Sequence, residues 1–340
     1  MMDWAEQQAI VGLIYGGITD VRGQREDGRS KLQIPFDDLM EWIGYAQDIE
    51  NRNKILNKKC AEVVKEYQDA GFDCIVLKGQ GNATMYPRPL LRMPGDIDVW
   101  ITRDSRNHGS KNLRREITRY VKERKKVTGQ HCYHIEYDEE EIPIEIHSYA
   151  CNMNSPVYRR RLQRWFTRTV DGGCMMAELP DGVGRIPIPT REFNIVFQLA
   201  HMMHHFFDEG IGLRQMIDYY YLLKSDGRSQ MDDVGKTLKY LNLYKFAGAV
   251  MYIMKEVLGL DEKYLIVPVD ERRGKTLLEE ILKGGNFGQH SEFDQNNAAK
   301  KYFQKTWRNM RFVREYPAEA LCEPVFRTWH YFWRMAHNKS

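Results

Sequence analysis

The segment FDCIVLKGQGNATMYPRPLLRMPGDIDVW, residues 72–100, carries the strongest structural signal in this chain. It opens with a short apolar run rich in β-branched residues, Phe72 to Leu77, which predicts a strand. The sequence Lys-Gly-Gln-Gly at 78–81 predicts a tight turn into a helix that ends near Tyr86, before two prolines. A second strand is predicted by DIDVWI at 96–101. Two strands joined by a glycine turn and a short helix indicate a small mixed α/β unit.

Asp96 and Asp98 are the strongest candidates for chemistry in that segment. Side chains alternate across a strand, so both carboxylates point to one face while Ile97 and Val99 point to the other. Adjacent carboxylates repel each other unless a cation lies between them, and such oxygen-rich sites suit Mg²⁺ bound to substrate phosphates. Two ions about 3.5–4 Å apart can activate an attacking oxygen and stabilise a leaving pyrophosphate. The competing interpretation is a pair of charges on a solvated edge strand.

A two-ion site needs a third carboxylate from another strand, and Glu145 fits this requirement. Residues 131–137 and 142–149 flank an acidic turn and predict two strands joined as a hairpin. Glu145 is the charged residue of an Ile-Glu-Ile stretch in the second of them, although it also suits the exposed face of a half-buried strand. His147 shares its face. The simpler interpretation of His147 is a packing or hydrogen-bonding histidine, and the alternative is one that orients a ligand.

The turn after the first strand is a candidate phosphate site. A strand that enters a helix through glycines leaves backbone N–H groups free at the helix start, where a phosphate is favoured. Gly79 would let the backbone approach a triphosphate closely, and Lys78 and Arg92 could neutralise its charge. The spacing is not that of a Walker A loop. The alternative is an ordinary strand–helix turn with exposed basic side chains.

The composition indicates a soluble globular protein, with 42% hydrophobic residues, 29% charged residues and a formal net charge of +3. So small a net charge neither requires nor excludes a nucleic-acid partner. The six cysteines are widely spaced, which favours a reducing compartment over a disulfide framework or a zinc knuckle. The N-terminal residues lack the basic start of a signal peptide, and no apolar stretch of about twenty residues occurs. We therefore expect a cytoplasmic protein with no membrane partner.

Helical periodicity dominates outside the central segment. Before the second half of the chain, helices are predicted at 4–15, 36–70, 107–126 and 157–166, and a loop or small hairpin lies between Gly172 and Pro187. From Thr190, which resembles a helix N-cap, the predicted helices are 190–207, 211–224, 231–242, 245–258, 271–283, 295–314 and 318–337. The domain organisation that follows is an N-terminal helical segment (1–70), a core (71–189) and a C-terminal helical domain (190–340).

A histidine cluster in the first C-terminal helix offers a second kind of chemistry. His201, His204 and His205 lie at i, i+3 and i+4 on one helical face, and Asp208 follows them. They could bind zinc or iron in a metal-dependent hydrolase. A histidine cluster that lines a substrate cleft is the favoured interpretation, because the H-E-x-x-H pattern of metalloproteases is absent.

Basic side chains supply further candidates for binding. Arg214 and Asp218 are four residues apart on a predicted helix, which indicates either a surface ion pair or a wall facing a nucleotide. Two basic patches, one of them next to Trp165, favour either a solvated face or RNA binding. Their members are Arg114, Arg115, Arg119, Lys122, Arg124, Lys125 and Lys126 in the first, and Arg159, Arg160, Arg161 and Arg164 in the second.

Several of these motifs, taken together, resemble a known family. The stretches Leu-Lys-Gly at 77–79, Gly-Asp-Ile-Asp-Val at 95–99 and Ile-Glu-Ile-His at 144–147, with Tyr-Pro at 86–87 and Arg92, are similar to the uncharacterised nucleotidyltransferases of the DNA polymerase β-like superfamily. The resemblance is specific over 72–149, and the segment His-His-Phe-Phe to Asp218 extends it. One departure is Gln80, where the superfamily often has a small hydroxyl residue.

This resemblance implies an α+β fold, in which a small mixed β-sheet nucleotidyltransferase core follows an N-terminal helical segment and precedes a C-terminal helical domain. It implies that Asp96, Asp98 and Glu145 bind Mg²⁺, with Mn²⁺ as the alternative ion, and that Gly79 is the turn glycine. Lys78, Arg92 and Arg214 are predicted to contact the nucleotide.

The predicted reaction moves a nucleoside monophosphate from a nucleoside triphosphate to an acceptor. The acceptor is unidentified, and a small molecule is favoured over RNA or protein. The alternative is a non-catalytic binding or regulatory protein that retains the nucleotidyltransferase fold.

Overall fold

The computed structural model describes residues 1–22, 34–104, 113–170, 173–225, 234–286 and 297–337. Three helices come first, namely α1 (Met2–Gln7), α2 (Val11–Arg22) and α3 (Phe36–Asp69). The predicted helix at 4–15 is interrupted at Ala9, whose φ of +55° cannot continue an α-helix. The long helix predicted at 36–70 is confirmed.

A five-stranded mixed sheet forms the centre of the molecule. Its strands are β1 (Phe72–Val76), β2 (Ile97–Asp104), β3 (Val127–Gln130), β4 (His134–Glu139) and β5 (Ile142–His147). Their order is β1-β2-β5-β4-β3, and β2 pairs with β5 in parallel while every other pair is antiparallel. Four of these strands match the sequence predictions. The fifth, β3, is a four-residue edge strand that was not predicted, because its sequence VTGQ is too short to show an alternation.

Short helices and a hairpin connect and flank the sheet. They are α4 (Gln80–Ala83), α5 (Leu113–Arg124), α6 (Pro156–Val170) and the pair β6 (Met175–Leu179) and β7 (Gly184–Ile188). The helix predicted to reach Tyr86 ends at Ala83 as an α-helix, because Pro87 disfavours the helical conformation of the residue before it. The predicted start of the helix at 107–126 lies partly outside the described residues.

Seven α-helices are described in the second half of the chain. They are α7 (Arg191–Asp208), α8 (Leu213–Lys224), α9 (Val234–Tyr240), α10 (Tyr244–Tyr252), α11 (Glu271–Gly284), α12 (Ala298–Met310) and α13 (Pro317–His337). A π-helical turn, Ile253–Val257, continues α10. These helices agree with the sequence predictions to within a few residues, apart from positions 231–233 and 295–296, which are not described. The Thr190 side chain accepts a hydrogen bond from the backbone N–H of Phe193 and thereby caps α7, as predicted. Within the described residues, no helix is both long and apolar enough to cross a membrane.

The two faces of the sheet serve different purposes. One face, which includes Val99 and Ile146, packs against α3, α5 and the β6–β7 hairpin in a closed apolar core. On the other face Trp100 packs against Phe166 of α6 and Phe193 of α7, while the carboxylates lie beside it. The alternation predicted for Asp98 and Val99 therefore separates a buried apolar face from a polar one. This is the predicted α+β class, and the predicted boundaries at 70 and 189 remain predictions.

Candidate active site

Asp96, Asp98 and Glu145 converge at the centre of the polar face. The parallel register of β2 and β5 places Asp98 directly opposite Glu145. Asp96 precedes β2, and the three residues each offer a carboxylate oxygen, all within 4.8 Å of one another. Asp98 is only 1% exposed. The structure thus brings together the three carboxylates that the sequence predicted, from two neighbouring strands.

Two cationic side chains lie against this carboxylate cluster. The Nζ of Lys78 is 2.8 Å from Oδ1 of Asp98. The Nε2 of His147 is 2.9 Å from the same Oδ1 and 3.1 Å from Oε2 of Glu145. The other oxygen of Asp98, Oδ2, is buried and has no hydrogen-bond partner among the described residues. Asp98 therefore keeps one buried oxygen available to a further cation.

The pKa values follow from these contacts. Burial alone would raise the pKa of Asp98, but Lys78 and His147 outweigh burial and hold it below the ordinary value. Burial likewise opposes ionisation of Glu145, yet the hydrogen bond from His147 and nearby positive charge lower its pKa to about 2. The pKa of His147 rises to about 9, because its two carboxylate partners outweigh the cost of burying an imidazolium. At neutral pH these groups are therefore charged.

The glycine turn supports the cluster rather than opening a long helix. Gly79 has φ +52°, and a Cβ at this position would be 3.1 Å from the carbonyl oxygen of Asp96. A side chain would therefore strain the turn and press on the loop that carries Asp96. The helix that follows has only four residues, so its dipole is small. Gln80 is buried and donates its side-chain amide to Asn57 of α3.

Arg92 is buried in an ion pair with the helical half of the molecule. Its Nε and Nη2 each lie 2.8 Å from a carboxylate oxygen of Asp218 on α8. The hydroxyl of Tyr86 donates to the same carboxylate at 2.5 Å. The sequence interpretation of Arg214 and Asp218 was either a surface ion pair or a wall facing a nucleotide, and the structure buries Asp218 as an anchor for Arg92. Arg214 is also buried and donates from Nη1 to the carbonyl of Pro94 at 3.3 Å.

Two cavities flank the carboxylates, and Lys78, Asp96 and His201 line both of them. The smaller cavity, about 40 Å³, contains the remaining predicted nucleotide-binding residues, Gly79, Arg92 and Arg214. The larger cavity, about 920 Å³, lies on the side of Glu145 and His147, and residues of α7, α12 and α13 form its other walls. A volume of this size is typical of small-molecule sites, whereas the smaller cavity accommodates only water-sized groups.

The predicted histidine cluster lines the larger cavity. The Nε2 atoms of His201 and His205 are 3.0 Å apart, and Lys78 lies 3.1 Å from the His201 nitrogen. Among the described residues these histidines do not belong to a group with metal-binding spacing, and Asp208 instead pairs with Lys305. The sequence interpretation of a histidine-lined cleft agrees with this arrangement.

Sequence reasoning missed a different histidine group on the same cavity wall. His131, His134 and Glu136 each offer one ligand atom, and these atoms lie within 4.8 Å of one another. The available signal was the pair His134 and Glu136, which share one strand face through their spacing of two. That spacing does not predict the full group, because His131 precedes β4 and reaches Glu136 only through the connection between β3 and β4.

The basic helix α5 is largely engaged with neighbouring side chains at its C-terminal end. Lys125 contacts Glu66 and Glu139 at 2.6 and 2.5 Å. The guanidinium of Arg124 lies 4.1 Å from the ring centroid of Tyr120. These contacts favour a structural role for this end of the helix, because the Lys125 side chain is largely buried between two carboxylates.

Comparisons with known proteins place the chain in a family. No curated protein matches its sequence. One similar solved structure is an antigenic nucleotidyltransferase-like protein from Paracoccidioides brasiliensis, with 11% identity and a TM-score of 0.38 over 67% of this chain and 96% of that chain. A family model described as uncharacterised nucleotidyltransferase matches residues 1–259, which is most of the sequence. The chain therefore belongs to this uncharacterised nucleotidyltransferase family.

Proposed function

We propose that the protein transfers a nucleoside monophosphate from a nucleoside triphosphate to an acceptor bound in the larger cavity. The observation that carries this proposal is the convergence of Asp96, Asp98 and Glu145 within 4.8 Å, at a place where two cavities meet. Membership of the nucleotidyltransferase family supports the class of reaction.

The residues present fit a hard divalent cation. The three side chains offer only oxygen ligands, and Oδ2 of Asp98 is buried without a partner among the described residues. Asp96, Asp98 and Glu145 would hold Mg²⁺, or Mn²⁺, whose ligand preferences are similar. When bound, such ions supply charge neutralisation for a triphosphate and for an attacking oxygen. The low pKa of Glu145, about 2, makes it a better cation ligand than proton acceptor.

The positive side chains of the site would hold the triphosphate. Lys78 lines both cavities. The pKa of its ammonium group is raised, because the surrounding carboxylates outweigh the effect of burial. We propose that Lys78 exchanges its contact with Asp98 for a phosphate oxygen when substrate binds. Arg214 lines the smaller cavity, which accommodates only water-sized groups, so it would act on the triphosphate through its charge and not by enclosing a phosphate there. Arg92 is committed to Asp218, so we assign it to positioning the turn and α8.

The larger cavity is the proposed site of both the acceptor and the nucleoside triphosphate, because the smaller cavity accommodates only water-sized groups and Lys78 lines the larger one. Its wall combines carboxylates, imidazoles and the basic side chains of Lys305, Arg327 and Arg334. A cavity of this volume with so mixed a lining suits a polar small molecule, which is the favoured acceptor class. RNA or protein remains the alternative acceptor class. The six free cysteines support a reducing, cytoplasmic compartment for this reaction.

The decisive experiment incubates the full chain with each of the four triphosphates labelled at the α-phosphate, together with Mg²⁺ and a library of polar acceptors. We expect label transfer by the wild type and a loss of about 100-fold or more in Asp98→Asn. Asp73→Asn, an exposed carboxylate on β1, is the matched control and should retain activity. Equal transfer by wild type and Asp98→Asn would exclude the proposed mechanism.

The same assay separates catalysis from binding alone. Equilibrium binding of the Mg²⁺–triphosphate complex, measured by calorimetry, is expected for the wild type and not for Asp98→Asn. Tight binding without label transfer to any member of a broad library would favour the non-catalytic binding or regulatory protein instead.

A further inference from the structure

A group of two imidazoles and one carboxylate lies on the larger cavity wall, beside the carboxylate cluster. The Nε2 atoms of His131 and His134 are 3.1 and 2.6 Å from the same oxygen, Oε1 of Glu136. The two rings are 4.4 Å apart. A tight connection between β3 and β4 holds them there, since the N–H of His131 donates to the carbonyl of His134 at 2.9 Å. The backbone therefore fixes both histidines relative to Glu136.

The neighbouring edge strand leaves room for the carboxylate. Gly129 on β3 pairs with Glu136 on β4. A Cβ at Gly129 would lie 2.2 Å from Oε2 and 2.9 Å from Cδ of Glu136. Any other residue would push this carboxylate away from its present position. The sheet thus has a glycine at a cross-strand position where a side chain would displace the Glu136 carboxylate.

We propose that His131, His134 and Glu136 bind a divalent transition-metal ion of the Zn²⁺ class, separate from the Mg²⁺ cluster. Two imidazole nitrogens and one carboxylate form a donor set typical of open zinc sites, whereas the three-carboxylate cluster offers oxygen alone. All three residues line the larger cavity, so a bound ion would be accessible from that cavity. This site does not depend on nucleotidyl transfer.

A carboxylate behind one ligand strengthens the assignment. The Nδ1 of His134 lies 3.6 Å from Oε2 of Glu145, and β4 pairs with β5 so that Glu136 is opposite Glu145. Histidine ligands commonly direct their second nitrogen to a carboxylate. At 3.6 Å the two atoms form an ion-pair contact and not a hydrogen bond, so Glu145 places negative charge near the second nitrogen of His134 without fixing the ring. The competing interpretation is that Glu136 is only a hydrogen-bond acceptor for two histidines.

The test is Zn²⁺ binding by the full chain, measured by competition with a colorimetric chelator in the absence of Mg²⁺ and nucleotide. We expect one ion per chain with a Kd below about 1 μM. His131→Gln and Glu136→Gln should weaken binding by about 100-fold or more, and Gly129→Ala by about 10-fold through displacement of the carboxylate. His204→Gln, a cavity histidine outside the group, and Asp98→Asn should bind Zn²⁺ as the wild type does.

The outcomes separate this proposal from the proposed function. Wild-type binding weaker than about 10 μM, or an equal loss in His204→Gln, would overturn it. Thermal unfolding of each apo variant controls for folding. If a histidine variant does not fold, the isosteric substitution Glu136→Gln provides the test of Zn²⁺ binding. Because no triphosphate is present, failure of label transfer leaves this result unaffected, and failure of Zn²⁺ binding leaves the transfer assay unaffected.

Discussion

Asp98→Asn tests the electrostatic balance of the carboxylate cluster in the absence of metal. The side chain is buried and contacts Lys78 at 2.8 Å and His147 at 2.9 Å. Asparagine keeps the shape and one acceptor oxygen but removes the charge. Lys78 and His147 then share a buried region with less compensating negative charge. Breaking a buried ion pair by removing one partner costs about 3–5 kcal/mol, and the retained acceptor places this case at the lower end, about 3 kcal/mol.

That free energy corresponds to a measurable shift in melting temperature. With an unfolding entropy of about 2.1 cal/mol/K per residue, a chain of 340 residues has about 0.7 kcal/mol/K, so about 3 kcal/mol lowers Tm by about 4 °C. Asp96→Asn provides the contrast, because Asp96 is half-buried and forms no ion pair with a described residue. Its Tm in EDTA should change by less than about 1 °C.

Thermal unfolding in EDTA and then in Mg²⁺ distinguishes the two roles of the carboxylates. At a Mg²⁺ concentration of ten times Kd, binding stabilises the wild type by about 1.4 kcal/mol, or about 2 °C. Both variants should lose this increase, since both lack a ligand, while only Asp98→Asn melts lower in EDTA. Asp73→Asn should behave as the wild type under both conditions. An Asp98→Asn protein that melts at or above the wild type in EDTA would refute the reasoning.

Three further predictions concern the surrounding structure. Burial raises the pKa of the Glu319 carboxyl from 4.5 to about 7. The folded state therefore holds this proton more tightly than the unfolded state does. The resulting contribution to the free energy of unfolding is complete below about pH 4.5 and is lost, by at most about 3 kcal/mol, as pH rises through 7. Urea unfolding between pH 4.5 and 8 should show this decline in the wild type and a flatter profile in Glu319→Gln. Arg92→Lys should lower the free energy of unfolding by about 2 kcal/mol, because lysine cannot reproduce the two-point contact with Asp218. A decrease of less than about 0.5 kcal/mol, measured by urea unfolding, would contradict this prediction. Gly79→Ala should cost about 1–3 kcal/mol because of its positive φ. Gly17 lies at an exposed helical position with open space around it, so Gly17→Ala should stabilise the protein by up to about 1 kcal/mol. If Gly79→Ala and Gly17→Ala change the stability equally, the positive φ of Gly79 does not require glycine.

Local sequence patterns predicted most of the elements. Alternation identified β2 and β5, helical periodicity identified the helices after Thr190, and proline and glycine marked their ends. The positions of Asp98 and Glu145 on the polar faces of their strands also followed from alternation alone. The predicted helix beyond Ala83 failed because proline acts on the preceding residue, and β3 was missed because four residues carry no usable period.

Pairwise partners across the chain were decided only by the tertiary structure. The sequence did not predict that β2 pairs with β5 in parallel, that Arg92 binds Asp218, or that Lys78 and His147 flank Asp98. Periodicity fixes which face a side chain takes, because that depends on its own backbone. Strand register and ion pairs depend on the closure of long loops and the packing of distant helices, which no local pattern encodes. The sequence therefore determined the chemical groups of the site, and the fold determined their distances.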